Sequence, residues 1–184
     1  MSYAALPVLR TPRLTLRPLR EDDADAIVAG VGNYDVSKWL AVVPYPYGRK
    51  DALSFIDRIV REKRIVWGIC DAEGLRGVIG IEAELGYWLS RPVWGRGYAF
   101  EAAVAACTHW FSKPGAGDMA AGFFFGNDRS ETILTRLGFR ETGTGMRDAL
   151  ALGQQVAATD MVLTRAEWNA RGLSLSAASH TPLS

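Results

Sequence analysis

The chain is poor in the residues that staple or metallate small folds. Of its 184 residues, two are cysteine and two are histidine. Cys70 and Cys107 both sit in apolar stretches, and no Cys-x-x-Cys occurs. Buried free thiols are therefore expected rather than a disulfide, and no zinc or other metal site is expected. Charge of one sign is lacking too. Lys plus Arg number 21 against 20 Asp plus Glu, a net of +1, so the basic footprint of a nucleic-acid-binding protein is missing. Every apolar run is broken by Arg, Asp, Glu or Gly well short of the ~18 residues of a membrane span. Met1 to Pro12 carries no apolar stretch of the secretory-signal kind. These absences predict a cytoplasmic protein with no nucleic-acid and no membrane partner. No internal repeat is present.

What is there is ordinary globular composition, with 48% hydrophobic and 22% charged residues. The length argues for one domain. A chain of this size buries roughly 70% of its unfolded surface, enough to fold without staples. Residues 1–172 read as that domain. Residues 173–184 are small and polar without a period, and read as a flexible tail.

Strand-like and helix-like pieces alternate along the domain. Arg13 to Leu19 alternates apolar and polar residues, as a half-buried strand does. Glu21-Asp22-Asp23 supplies a cap and an acidic first turn for a helix to about Gly30. Lys50 to Glu62 is amphipathic. Strands are expected at Ile65 to Cys70, Leu75 to Ile81 and Glu84 to Leu89. Tyr98 to Phe111 is a helix apolar nearly all round, its polar positions Glu101, Thr108, His109 and Ser112 on one side. Met119 to Phe125 is a strand, and Asp128 to Leu137 a helix with an Asp cap and Gly138 as its stop. Phe139 to Thr144 and about Val156 to Leu163 complete the strands. Hairpins with a single helical crossover predict an α+β fold with a mixed α/β sheet, not a doubly wound one. The arginines at 10, 13, 17 and 20 read as a solvated strand face.

The segment richest in chemistry is a strand, a Gly95-x-Gly97 loop and a helix. A helix start offers unpaired N–H groups and partial positive charge, and glycines let a phosphate approach the backbone. The same pattern also serves as a plain tight turn. No Gly-Lys-Ser/Thr follows, which excludes a Walker A loop. No third glycine and no first βαβ unit fit a dinucleotide fold.

Tyr87-Trp-Leu-Ser-Arg-Pro-Val-Trp-Gly-Arg-Gly-Tyr-Ala-Phe-Glu-Ala102 resembles the acetyl-CoA loop of the GNAT superfamily of N-acetyltransferases, in its RimJ/RimL-like branch. Thr11 to Leu19 resembles that branch's opening strand. Gly126-Asn-Asp-Arg-Ser130 with Arg136-Leu-Gly-Phe139 resembles its second cofactor motif, and Leu163 to Trp168 its closing segment. The resemblance covers about residues 9–170.

It implies a GNAT fold whose fourth and fifth strands, Glu84 to Leu89 and Met119 to Phe125, splay apart in a V. The implied cosubstrate is acetyl-CoA, with no metal. The implied reaction is direct transfer of acetyl to a primary amine, on a protein N-terminus or a small molecule, in a ternary complex with no acyl-enzyme. On this reading the cofactor is met by Trp88, Leu89, Arg91, Gly95, Arg96, Gly97, Tyr98, Ala99, Asn127 and Ser130. Pro92 stands where the family loop often carries Gln or Arg, so Arg91 or Arg96 supplies the charge.

Glu84 aligns with the family's general base. A base matters because only a neutral amine attacks: near pH 7 about one-tenth of an α-amine is neutral, but only about four in ten thousand lysine side chains. The alternative is a strand-end glutamate, with Glu82 as the neighbouring competitor. Many family members place a tyrosine acid four residues before the helix-ending glycine; here that position is Leu134. Ser130 is then the remaining acid, or the site has none. Asn127 and Ser130 are equally well read as helix-start residues. Trp39, Tyr45 and Tyr47 fall in the substrate-side loop and either line an acceptor pocket or close the core edge. A non-catalytic acyl-CoA-binding module and a partner-binding domain are the rival readings. Either a monomer or a homodimer is compatible with the sequence.

Overall fold

Two faces of apolar side chains, set by period-two alternation, fix the architecture. In the strand Ile65–Asp71, Trp67 and Ile69 point to one face and Val66 to the other. The next strand, Gly74–Ile81, sends Ile79 and Ile81 one way and Val78 the other. A sheet buried on both sides must carry helices on both. The structure, a computed structural model, describes residues 6–173. Apart from Leu173, the expected tail lies outside the described residues.

In chain order the elements are β1 (Leu9–Arg10), β2 (Thr15–Pro18), α1 (Ala24–Val31), α2 (Tyr34–Ser37), α3 (Arg49–Glu62), β3 (Ile65–Asp71), β4 (Gly74–Ile81), β5 (Glu84–Leu89), α4 (Tyr98–Phe111), β6 (Met119–Phe124), α5 (Asp128–Leu137), β7 (Arg140–Ala149), β8 (Gln154–Leu163) and α6 (Arg165–Arg171). The described strands form one eight-stranded sheet in the order β1-β2-β3-β4-β5-β6-β8-β7. Its ladders are antiparallel except between β5 and β6, which pair in parallel around the α4 crossover. This is the expected mixed sheet.

One face packs α4 against Trp67, Ile79 and Leu85. The alanines at 99, 102, 103, 105 and 106 are all buried, which brings this helix close to the sheet. The other face carries α1 and α3 through Ile27, Val31, Ile56 and Ile59.

Several expectations are corrected. Glu101 is not on a polar side of α4: it is fully buried, and its carboxylate accepts from the Thr11 hydroxyl at 2.5 Å, the Arg13 amide at 2.9 Å and Arg13 Nε at 2.7 Å. Arg10, Arg13 and Arg20 are exposed, as expected of a solvated face, although Arg13 also pairs with Glu101, whereas Arg17 is half-buried and pairs with Asp23 at 2.7 Å. The cap of α5 is Asn127, whose Oδ1 accepts from the Ser130 amide, rather than Asp128. The strand expected to end at Thr144 runs on to Ala149. Helices α2 and α6 were not foreseen. Both cysteines are buried and free, as expected.

Candidate functional site

The parallel ladder between β5 and β6 has two rungs, Glu84↔Ala120 and Leu85↔Ala121. Past them the strands turn to other partners. β5 stays paired with β4 through Leu89, and β6 with β8 through Phe124. The facing edges therefore separate, and the split is the expected V, lying between the fourth and fifth strands once the short β1 is set aside. A cavity of about 1080 Å³ occupies it, lined from both faces of the sheet.

At one end lies the glycine loop. Gly95 and Gly97 have φ of +75° and +76°, backbone that an L side chain adopts only at a cost. Gly97 caps α4, and Gly97, Tyr98 and Ala99 line the cavity. The first amides of α4 have no intrahelical acceptor and carry the positive end of its dipole. Arg13 latches this loop: Nη1 donates to the Arg96 carbonyl at 2.7 Å, the guanidinium lies 5.0 Å from the Tyr98 ring centre, and Glu101 holds its other side.

The expected cations are placed elsewhere. Arg91 turns to Asp35 at 2.8 Å, and neither Arg91 nor Arg96 lines the cavity. Two unforeseen arginines of α5 line it instead. Arg129 lies 4.3 Å over the Trp94 ring and Arg136 4.0 Å over the Phe100 ring. Their spacing of seven residues, two helical turns, was a legible sign that they share a helix face.

Trp88 and Leu89 both line the cavity. Trp88 packs on the α1 side, where it fills the space a side chain on Gly30 would need. The Leu89 carbonyl accepts from the Trp94 indole at 2.8 Å, which ties the glycine loop to the end of β5. Asn127 and Ser130 line the opposite wall. The Ser130 hydroxyl is 3.0 Å from the Tyr87 hydroxyl, a partner the sequence reading missed. Burial pushes the Tyr87 phenol up to about 12.

Glu84 stands at the last closed rungs. Both its oxygens accept from Arg147 of β7, at 2.7 and 2.8 Å, and Arg147 also donates to Asp160. A side chain on Gly122 would collide with the Arg147 guanidinium, so this glycine lets the arginine cross β6 to reach β5. The hydrogen bond that Arg147 donates to Glu84 heads the causes that raise the Arg147 pKa, keeping the guanidinium charged. Glu82 lines the cavity from the loop before β5 and pairs with Arg64.

Of the substrate-loop aromatics, Trp39 and Tyr47 line the cavity. Burial, with Asp51 nearby, lifts the Tyr47 phenol to about 12. Tyr45 is exposed and packs edge-on against Tyr34, outside the lining. Among the described residues no cluster of His, Cys, Asp and Glu could hold a metal, and no helix is long and apolar enough to cross a membrane. Burial pushes the Cys107 thiol up to about 12, which disqualifies it as a thiolate nucleophile.

A parallel strand pair that splits after two rungs, with an anion-ready helix start at one end and a carboxylate at the other, defines an acetyltransferase of the GNAT class. The comparisons agree. The acetyltransferase (GNAT) domain family matches residues 13–140. An uncharacterized N-acetyltransferase of Bacillus subtilis, YoaA, is 32% identical over 151 residues, 74% of this chain and 85% of that one. A crystal structure of a GCN5-related N-acetyltransferase from Brucella melitensis superposes with a TM-score of 0.78 at 18% identity, covering 95% of this chain and 86% of that one. RimL, a ribosomal L7/L12 alpha-N-protein acetyltransferase solved with coenzyme A, superposes with a TM-score of 0.74 at 16% identity, covering 86% and 98%. The chain belongs to the GNAT family and is an acetyl-CoA-dependent N-acetyltransferase.

Proposed function

We propose that the chain moves the acetyl group of acetyl-CoA directly to a primary amine, an α-amine on a protein N-terminus or a small molecule, with both substrates bound at once. The observation that carries this reading is the two-rung ladder opening into a cavity lined from both faces of the sheet. Donor and acceptor can then meet from opposite sides, which a covalent relay would not require.

The pantetheine arm lies along the free edge of β5 beyond Leu85, beside Trp88 and Leu89. The pyrophosphate rests on the amides of Gly97, Tyr98 and Ala99 at the start of α4. Arg129 and Arg136 supply the cationic partners that Arg91, paired with Asp35, does not. Asn127 fixes the first turn of α5 through the Ser130 amide. Ser130 then donates to the departing sulfur.

Glu84 takes the amine proton through a water. With one guanidinium hydrogen bond on each oxygen, it keeps lone pairs for that water while Arg147 holds its orientation. Trp39 and Tyr47 form the acceptor wall, whose apolar lining favours an amine with an apolar body. RimL acts on a protein α-amine, and the fraction of neutral amine near pH 7 favours an α-amine over a lysine.

The test is a CoA-release assay over a panel of α-amines, lysine peptides and small-molecule amines, with intact-mass detection of product. Acetylated α-amine with CoA released in equal amount is expected. CoA binding without acetylation of any amine would overturn the reading and leave an acyl-CoA-binding module.

A further inference from the structure

One side-chain hydrogen bond links β5 to α5 beyond the point where β5 and β6 part. The Tyr87 and Ser130 hydroxyls lie 3.0 Å apart, and both residues line the cavity. Tyr87 projects to the α4 and α5 face of the sheet with Leu85 and Leu89, as strand alternation requires. Its ring is rigid, so the phenol oxygen sits at a fixed point. Ser130 is in the first turn of α5, its amide already held by Asn127 Oδ1 at 3.3 Å.

Two hydroxyls bring two hydrogens, and their mutual bond uses one. Whichever oxygen donates, one O–H is left over, and among the described residues neither hydroxyl bonds a further side chain or carbonyl. The pair is thus a preorganised single donor facing the cavity at the positive end of a helix. Such a donor suits a group that gains negative charge there.

We propose that Tyr87 is a positioning residue for acetyl transfer: its phenol donates to the Ser130 oxygen and so fixes the Ser130 O–H toward the sulfur leaving with CoA. This rests on the function proposed above. The amine nitrogen attacks the thioester carbonyl carbon, the C–N bond forms and the C–S bond breaks. The electron pair goes to sulfur as a thiolate, and the ammonium proton leaves by Glu84 and water. Tyr87 and Ser130 lose no proton. The phenol, held protonated by burial, remains a donor through neutral pH.

The experiment is a double-mutant cycle in the full chain with Tyr87→Phe, Ser130→Ala and both together. It measures kcat at saturating acetyl-CoA, the CoA dissociation constant by titration calorimetry, and the melting temperature. Tyr87→Phe should lower kcat about tenfold with CoA affinity within about twofold, because the bond strengthens as charge develops on sulfur. The double variant should be no slower than Ser130→Ala, since Tyr87 acts only through Ser130. Ser130→Thr, which keeps the hydroxyl, should recover most of the rate. Wild-type kcat in Tyr87→Phe overturns the proposal. So do losses that multiply in the double variant, loss of CoA affinity at unchanged kcat, or no recovery in Ser130→Thr. Absence of CoA binding by the wild-type chain would instead sink the functional reading itself.

Discussion

Glu84 is held by two guanidinium hydrogen bonds from a residue 63 positions away, and this decides how its role is tested. A carboxylate clamped in this way keeps its place when it takes a proton from water. Glu84→Gln retains the shape and loses the acceptor charge. Turnover at neutral pH should fall by about 10²-fold or more, within the range of a positioned base. Part of the rate should return as pH rises and free amine becomes abundant. A variant with wild-type rate between pH 6 and 7 would make Glu84 a strand-end residue that merely holds Arg147. At this scale the sequence was partly legible. Glu84, Asn127, Ser130 and the glycines stand in contiguous motifs whose local geometry is self-contained. Arg147, Tyr87 and Arg129 were not read as site residues. Arg147 reaches Glu84 only because β7 and β8 fold back beside β6 and Gly122 leaves a path. Arg91 and Tyr45 went the other way: partners on or next to α2, an element the periodicity did not reveal, take them off the cavity.

The glycine loop and α4 act as one element, pinned by Arg13 and Glu101. Gly97→Asp places a side chain on backbone with φ of +76° and an anion at the proposed pyrophosphate site. The left-handed conformation costs about 1 kcal/mol, roughly 2–4 °C of melting temperature in a chain of this size. The unliganded variant should melt slightly lower and still fold, and added CoA should give it no stabilisation. An undiminished CoA shift, read by differential scanning fluorimetry, would remove this loop from the cofactor site. At the other wall, Asn127→Ala deletes a helix cap worth about 1 kcal/mol and leaves the Ser130 amide only its bond to the backbone carbonyl of residue 127. Its main kinetic effect should be a higher KM for acetyl-CoA, with a smaller change in kcat. A kcat loss at unchanged KM would assign Asn127 to the chemical step instead. The apolar segments bounded by turn or loop residues are the legible ones: β5 and α4 span Glu84–Leu89 and Tyr98–Phe111, as expected. β7 is an edge strand, exposed along most of its length, so no alternating apolar face marks its second half in the sequence. Helix α6 carries the Thr164 and Glu167 capping box, a signal present in the sequence, but it is seven residues long with one buried side chain, too little for a period to show.

Across the whole molecule, two linkages set stability. The first is to protons. Burial of Asp23 alone would raise its pKa, but hydrogen bonds from Arg17 and the Arg20 amide overcome that and lower it below the usual carboxylate range. Hydrogen bonds from the Thr164 amide and hydroxyl, then Arg140, bring Glu167 to about 2. A folded-state pKa below the unfolded one gives stability that is full above about pH 4 and is lost as pH falls through the folded value. Melting temperature should therefore hold from neutrality to about pH 5 and drop steeply between about pH 4 and 2. Asp23→Asn should flatten part of that drop, and an unchanged acid limb would show that Arg17 and Asp23 pair equally in the unfolded chain. The second linkage is to the cofactor. The sheet is two strand sets joined at β5 and β6 by two rungs, with α4 bridging them. On the proposed reading, a pantetheine arm bonded along β5 would add contacts where the ladder is missing, and a pyrophosphate at the start of α4 would bind the crossover that joins the sets. CoA at a hundred times its dissociation constant adds about 2.7 kcal/mol, about 5–10 °C here. The gain should not be uniform. Hydrogen exchange should slow most at the free edge of β5 from Gly86 to Leu89 and in the first turn of α4, with β2 and β3 little changed. Protection spread evenly over the sheet, or confined to α1 and α3, would place CoA somewhere other than the gap.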